Sequence, residues 1–265
     1  MDKAKYTITA PLNLKKINSI VSKWSTDDMA KKIEEAKEGD LLKNKFFASK
    51  EYDFKDIKKC YKLYSKMTFN GFVFGVLGKS LDNFFKLNGI NDAKKILAHF
   101  PVNLRPMPTS YDDLILDNSF STSVIQLPLM DDISKIHETI RPSIQKLVTN
   151  EFLYASYYLL KCVAYIPKKL ACTMIDSFIE RIDTSVSNIA FSDIPWEING
   201  KEIKTVTMNN SAVFNKNIGL IVYTYNNKVR FGMNCNKNMK MDPSKLMDIF
   251  LSNIEQEIQN TCKND

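Results

Sequence analysis

The spacing of apolar positions changes several times along the chain, and each change marks an element. After an extended lead-in over Thr7 to Leu14, the residues Leu14, Ile17, Ile20, Val21 and Trp24 form one stripe at helical spacing. Ser25-Thr26-Asp27-Asp28 then offers a cap for a polar helix from Met29 to Lys37, ended by Gly39. Phe46 to Phe54 has no clear period. Asp53 can cap a helix in which Phe54, Ile57, Cys60, Tyr61 and Tyr64 share a face. Thr68-Phe69-Asn70-Gly71 opens a strongly apolar helix, Phe72 to Leu87, closed by Asn88-Gly89. Within it Gly75 and Gly78 predict the close approach of another element.

Strand-like runs follow at Ile96 to Val102 and at Ser119 to Leu127, with Pro128 as a stop. Asp131 and Asp132 precede a helix from Ile133 to about Val148, in which Pro142 predicts a kink or a break. Phe152 to Ile182 reads as two apolar helices split near Pro167. The last third is β-rich, with strands at Thr184 to Ile189, Lys201 to Met208, Gly219 to Tyr225 and Lys228 to Asn234. Asn226-Asn227 predicts a type I′ hairpin turn, because asparagine tolerates the positive φ that such a turn needs. Asp242-Pro243 starts a final helix, Ser244 to Gln259, with Leu246, Ile249, Phe250, Ile254 and Ile258 facing inward. This order of elements predicts an α/β or α+β layered domain.

Charge and cysteine content change the picture in two places. The net charge is +7, and residues 1–66 hold 16 basic and 10 acidic residues, a net of +6. The remainder is therefore close to neutral. A basic leading segment suits an anionic membrane surface or an acidic partner, and it equally suits a solvated lysine-rich helix surface. No nucleic-acid signature accompanies it, so a nucleic-acid partner is not expected. The five cysteines, at 60, 162, 172, 235 and 262, form no CxxC pair, and His99 and His137 are the only histidines. Neither a disulfide framework nor a metal centre is expected, and buried free thiols in a reducing intracellular compartment are the natural reading. No signal peptide is apparent at the start of the chain. The most apolar stretch, Phe152 to Ile166, contains Lys161 and falls short of the ~20 residues that a membrane span needs. Its aromatic residues Phe152, Tyr154, Tyr157, Tyr158 and Tyr165 pack either in a core, against a partner, or on a membrane surface.

The motifs also form an ordered series: Thr68-Phe69-Asn70-Gly71, the glycine-containing helix, Pro101-Val102-Asn103-Leu104-Arg105, and Asn118 before the strand that ends Leu127-Pro128. Ser187-Asn188, Gly219-Leu220, Tyr225-Asn226-Asn227 and Met241-Asp242-Pro243 complete it. This series resembles the C-terminal half of the wax ester synthase/diacylglycerol acyltransferase family, over roughly residues 46–260. The resemblance implies a lobe related to chloramphenicol acetyltransferase and other CoA-dependent acyltransferases. Such a lobe is a two-layer α/β sandwich, a mixed sheet covered by helices, and two lobes enclose a tunnel. The expected division is a basic, largely helical extension over 1–45 and an acyltransferase-like lobe over 46–265.

Members of that family transfer an acyl group from acyl-CoA to an alcohol or a diacylglycerol, using an HHxxxDG motif on the N-terminal lobe. Its second histidine is the general base, a role that suits a group titrating near neutral pH. The present chain contains no such motif, because His99 is followed by Phe100-Pro101 and His137 by Glu138-Thr139. It begins where the resemblance places the second lobe, so the catalytic lobe is expected to be absent. The family's Thr-Val-Asn-Asp reads Thr68-Phe69-Asn70-Gly71, its Asn-Val-Pro-Gly-Pro reads Asn188-Ile189-Ala190-Phe191-Ser192, and its Gly-Asn pair reads Asp117-Asn118. The acidic residue usual after the Tyr turn is Asn236.

No catalytic residue is therefore expected. The candidates for a tunnel wall or lobe interface are Asn70, Asn103, Arg105, Asn118, Ser187, Asn188 and Asp242. Each also has a structural reading: Asn70 as a helix cap, Asn103 and Arg105 as loop-fixing groups with a nearby carboxylate, and Ser187-Asn188 as a satisfied turn. His137 is expected at the surface and His99 as a hydrogen-bonded core residue. Two functions fit. One is a non-catalytic accessory or structural subunit, and the other is half of a split lipid O-acyltransferase completed by a separate lobe. Both call for other chains on the lobe-interface face, be they a catalytic lobe, a second copy or a larger assembly. A peripheral membrane contact is also expected. Acyl-CoA would be a substrate, and no cofactor is called for.

Overall fold

The computed structural model describes residues 44–105, 112, 117, 119–179, 181–208, 218–236, 239 and 241–263. The lead-in and helices expected between Thr7 and Lys37, and Asn118, lie outside the described residues.

Among the described residues the main sheet has seven strands. They are β1 (Asn44–Ala48), β2 (Tyr52–Asp53), β3 (Lys95–Asn103), β4 (Phe120–Pro128), β5 (Thr184–Ala190), β8 (Ile218–Tyr225) and β9 (Lys228–Asn236). Its order is β1-β9-β8-β5-β3-β4, with β2 also pairing to β9. The central pairs β3/β5 and β5/β8 are parallel and the others antiparallel, so the sheet is mixed. A separate two-stranded ribbon joins β6 (Glu197–Ile198) to β7 (Lys201–Glu202).

Among the described residues, fully buried core side chains come from the helices α1 (Phe54–Lys62), α2 (Phe69–Leu87), α3 (Ile133–Leu147) and α6 (Pro243–Cys262). Strand alternation sends Ile96 and Ala98, Ile125 and Leu127, Val186, Leu220 and Val222, and Phe231 and Met233 into one cluster with Phe72, Leu77, Leu81, Leu246 and Phe250. A smaller cluster, Leu97, Val124 and Ile182, forms from the opposite parity of β3 and β4. α4 (Asn150–Val163) packs beside β4, and α5 (Lys168–Ile179) makes only sparse contact with other described elements.

The caps are as the local chemistry demands. Asp53 accepts from the Lys55 N–H, Asp132 from that of Lys135, and Asp242 from that of Ser244. Asn226 and Asn227 carry φ of 50° and 57°, so the β8–β9 hairpin has the expected turn. Gly75 and Gly78 seat α3 against α2. A Cβ at Gly75 would stand 2.6 Å from Ile133 Cγ2, and one at Gly78 would stand 2.7 Å from the Pro128 carbonyl oxygen.

Several expectations are corrected. Phe46 to Phe54 is not irregular, because β1 and β2 pair along β9. The pairing is long-range, so a local period could not reveal it. The break at Pro142 is absent, since α3 runs through it, anchored by buried Ile136 and Ile140 before and Leu147 after. Of Lys201 to Met208 only Lys201–Glu202 is strand, because among the described residues they pair only with β6, which is two residues long. Three of the five cysteines, 162, 172 and 262, are exposed rather than buried.

Candidate functional site

Parallel strands β3, β5 and β8 end on the same side of the sheet, the side on which open α/β sheets gather ligands. There Asn188, near the end of β5, donates from Nδ2 to Asn70 Oδ1 on the first turn of α2 at 2.7 Å. The two residues are 118 positions apart in sequence. Two of the residues singled out from sequence are thus brought into direct contact. Ser187, half-buried beside Asn188, is in register with Ile221 of β8.

Asn70 is not the cap of its helix. Thr68 holds that place, and its Oγ1 accepts from the Gly71 N–H at 3.1 Å. Thr68 has the extended backbone of an N-cap, whereas Asn70 already lies within the helix, and its side chain is thereby free to reach β5.

Gly71, where the resembled family carries Asp, has a second consequence. A Cβ there would fall 2.5 Å from His137 Nδ1, so the absence of a side chain makes room for the imidazole. His137 is 4% exposed, not a surface histidine. It is four residues after Ile133 and three before Ile140, so it falls in the buried stripe of α3. That spacing was the signal in sequence, and its charged neighbours masked it. Burial holds its imidazole below the ordinary histidine range, and Arg141 adds to this, while the Lys66 backbone and Glu138 partly offset it. Neither ring nitrogen has a hydrogen-bond partner of good geometry.

The other candidates have local roles. Asn103 Oδ1 accepts from the Arg105 backbone N–H at 3.1 Å and from its Nε at 3.3 Å, fixing the turn after β3. Both residues are exposed. Asp242 Oδ1 accepts from the Ser244 N–H and hydroxyl, at 3.1 and 2.8 Å. It follows β9, which runs antiparallel to β8, so it stands at the opposite end of the sheet from Asn188. Asn70, Ser187 and Asn188 form the site, with Asn103 and Arg105 on the same side and Asp242 apart.

His99 lies half-buried on β3, and desolvation lowers its imidazole to about 4. Asp183, just before β5, is buried, and its Oδ2 accepts from the Leu97 N–H at 2.7 Å. Burial raises its carboxyl to about 6, and the Leu97 bond opposes that shift. Burial also pushes the Cys235 thiol up to about 12, which makes it a poor nucleophile. Among the described residues no group of three or more His, Cys, Asp and Glu side chains is placed to hold a metal ion. A shallow open groove of about 660 Å³, on the outer side of α2 and α6, is lined by Asn83, Lys86, Leu87, Asp248, Ile249, Ser252 and Asn253.

A mixed sheet of this order with its helical layer is the architecture of condensation and acyltransferase domains. The epimerization domain from the third module of tyrocidine synthetase B superposes with a TM-score of 0.59 at 10% identity, over 97% of this chain and 57% of that one. The starter condensation domain of rhizomide synthetase gives 0.56 at 12%, over 98% and 53%. A wax ester synthase/diacylglycerol acyltransferase from Marinobacter aquaeolei VT8 gives 0.52 at 18%, over 98% and 58%. The chain thus spans between half and two thirds of the length of each of these structures. No curated protein matches it. Residues 116–257 match the WS/DGAT C-terminal domain, and the chain belongs to that family.

Proposed function

We propose that this chain is an acyltransferase-type lobe that performs no acyl transfer by itself and serves as a non-catalytic accessory or structural subunit. The observation that carries the reading is the state of its two histidines. General-base catalysis on an acceptor hydroxyl needs an imidazole that meets the substrate and titrates near operating pH. His99 is set into a sheet strand with its pKa lowered to about 4, and His137 is buried under Gly71. They are 38 positions apart in sequence, so no His-His pair exists in this chain.

The lobe's partners would be other protein chains on the side where Asn70 and Asn188 meet. A catalytic lobe, a second copy or a larger assembly would each fit there. The Asn70–Asn188 bond favours one second reading. It keeps a polar contact at the ligand end of the parallel strands, as a split acyltransferase completed by a lobe bearing HHxxxDG would require. In that case acyl-CoA would be the donor and an alcohol or a diacylglycerol the acceptor.

The test is the release of free CoA from long-chain acyl-CoA by the purified chain, with a long-chain alcohol or diacylglycerol present. No release above background is expected, and sustained turnover by the chain alone would refute the proposal. Mild native purification, with mass spectrometry of the co-purifying chains, separates the two readings. A stoichiometric partner carrying HHxxxDG would mean a split enzyme. A stoichiometric set of unrelated proteins would mean a structural subunit.

A further inference from the structure

The two faces of the β8–β9 hairpin are covered differently. Val222 and Phe231 point into the main core. Strand alternation therefore turns Tyr223 and its register partner Arg230 to the opposite face of the sheet. There the chain that leaves the β6–β7 ribbon, over Ile203 to Thr207, crosses them as a strap. Side chains tie it down. The Tyr225 hydroxyl donates to the Ile203 carbonyl, Thr205 Oγ1 donates to Glu51 Oε1 at 3.2 Å, and Arg230 Nη1 donates to Thr207 Oγ1 at 3.4 Å. Arg230 Nη2 also donates to Glu51 Oε1, at 2.7 Å, so one carboxylate joins the strap to β9.

Beneath the strap is a small cavity of about 10 Å³, whose walls include Thr205 and Val206 of the strap, Glu51, and Tyr223 and Arg230 of the sheet. Two buried polar atoms of these walls have no hydrogen-bond partner among the described residues, the Tyr223 hydroxyl and Arg230 Nε. Tyr223 is 1% exposed, and the Phe191 ring stands edge-on to its own, so bulk solvent does not reach the hydroxyl. A buried hydroxyl left alone bears the full cost of its lost hydration, which phenylalanine in the same space would not. The hydroxyl therefore calls for a partner, and the cavity suits one by size and by polarity. A single water needs roughly 10–15 Å³ and two to four polar neighbours. Arg230 Nε donates only, an ionised Glu51 accepts only, and the hydroxyls of Tyr223 and Thr205 do either. A water oxygen can accept from Nε while its hydrogens go to the Tyr223 oxygen and to Glu51 or Thr205. Arg230 would repel a cation at that place and Glu51 an anion, and a larger ligand does not fit.

We propose that this cavity is the binding site of one water molecule, which joins Tyr223 and Arg230 to the strap and holds the strap down on the sheet. Asn188 is in register with Val222 and so lies on the other face. The water site is therefore separate from the Asn70–Asn188 contact and does not rest on the reading of catalysis above.

The test is a crystal structure of the full chain at a resolution that shows ordered solvent, with water relaxation dispersion in solution to count the long-lived internal waters. Both are made on the wild type and on Tyr223→Phe. The wild type is expected to hold one ordered water within about 2.7–3.2 Å of the Tyr223 oxygen and of Arg230 Nε. Tyr223→Phe is expected to lose it and to lower the solution count by one. The strap itself is read with trypsin, which cleaves after exposed Lys204 once the strap lifts, at a temperature where both proteins stay folded. Cleavage there should be about two- to tenfold faster in Tyr223→Phe, the effect of one net hydrogen bond lost. Should the variant fail to fold, the wild-type electron density decides by itself. A dry cavity overturns the proposal, and so does a protein group bonded directly to the Tyr223 hydroxyl in place of water. Cleavage of folded Tyr223→Phe no faster than that of the wild type would overturn it too, because a hydroxyl that fastens nothing is lost without effect on the strap.

Discussion

Asp183 and His99 respond to pH in opposite directions on neighbouring strands. The Asp183 carboxyl is raised to about 6, so the fold favours its protonated form. Its contribution to stability is complete below the unfolded value near 3.8 and is lost as pH rises through 6. The His99 imidazole is lowered to about 4, so the fold favours its neutral form. Its contribution is complete above 6.5 and is lost as pH falls toward 4, and buried His137 has the same sign. Between about pH 4 and 6 the Asp183 and His99 effects offset each other. Asp183→Asn should therefore expose the histidine response: its stability is expected to fall by about 3 kcal/mol from pH 6.5 to 4, and that of the wild type by clearly less. Urea midpoints measured across this window decide it, and parallel curves for the two proteins would refute it. The first turn of α2 gives a second test at this scale. Thr68→Ala should cost about 1 kcal/mol as a lost cap, whether or not Asn188 is present. Asn70→Ala and Asn188→Ala should instead be coupled, each removing the same bond, by about 0.5–1 kcal/mol in a double-mutant cycle.

The contact of α2 with α3 rests on what its glycines omit. At Gly75 an added methyl would stand 2.6 Å from Cγ2 of the β-branched Ile133 and 3.3 Å from its carbonyl oxygen, and at Gly78 it would stand 2.7 Å from the Pro128 carbonyl oxygen and 3.0 Å from Ile136 Cδ1. Gly75→Ala and Gly78→Ala should therefore each destabilise, by about 1–3 kcal/mol from overpacking, despite the roughly 1 kcal/mol that alanine gains in helix propensity. Thermal unfolding of both variants checks this, and neutral or stabilising effects would mean that α2 can shift away from these neighbours freely. This element was legible in sequence because two glycines in an apolar helix have few other uses. The β8–β9 hairpin was legible from Asn226-Asn227 for the same kind of local reason. The cap of α2 was not, since Thr68 and Asn70 are both good capping residues and only the backbone conformation distinguishes them. β1 and β2 were hidden because their pairing to β9 is set by partners far along the chain. His137 was read by its charged neighbours, although its spacing from Ile133 and Ile140 already put it in the buried stripe, and Gly71, sixty-six residues earlier, leaves room for its ring. The site shows the same division. Asn70 and Asn188 could each be picked out by motif, but the bond between them depends on the sheet order.

Across the whole molecule, burial falls steeply from the middle of the sheet to its periphery. Every residue of β8 except Thr224 is buried, so this strand has both faces covered. β9 and α6 add Phe231, Met233 and Phe250, which are fully buried, around it. The periphery is different in kind. The β6–β7 ribbon and the segment leading into it present Ile198, and Ile194 and Trp196, to solvent, and are tied back by the Tyr225 hydroxyl, which donates to the Ile203 carbonyl at 2.7 Å and accepts from the Trp196 N–H at 2.8 Å. α5 is exposed at every described position but Ala171. Local opening free energy follows the apolar surface and hydrogen bonds that each opening must disrupt. Amide exchange in the native chain should therefore be slowest in β8, close to the limit set by global unfolding, and fastest in α5. The ribbon should lie between them, because its bonds to Tyr225 must break before it opens. Tyr225→Phe keeps the ring packed against Trp196 and removes only the hydroxyl, so it should speed exchange at Trp196 and leave β8 unchanged. If α5 instead exchanged as slowly as β8, it would have to be covered by other parts of the chain.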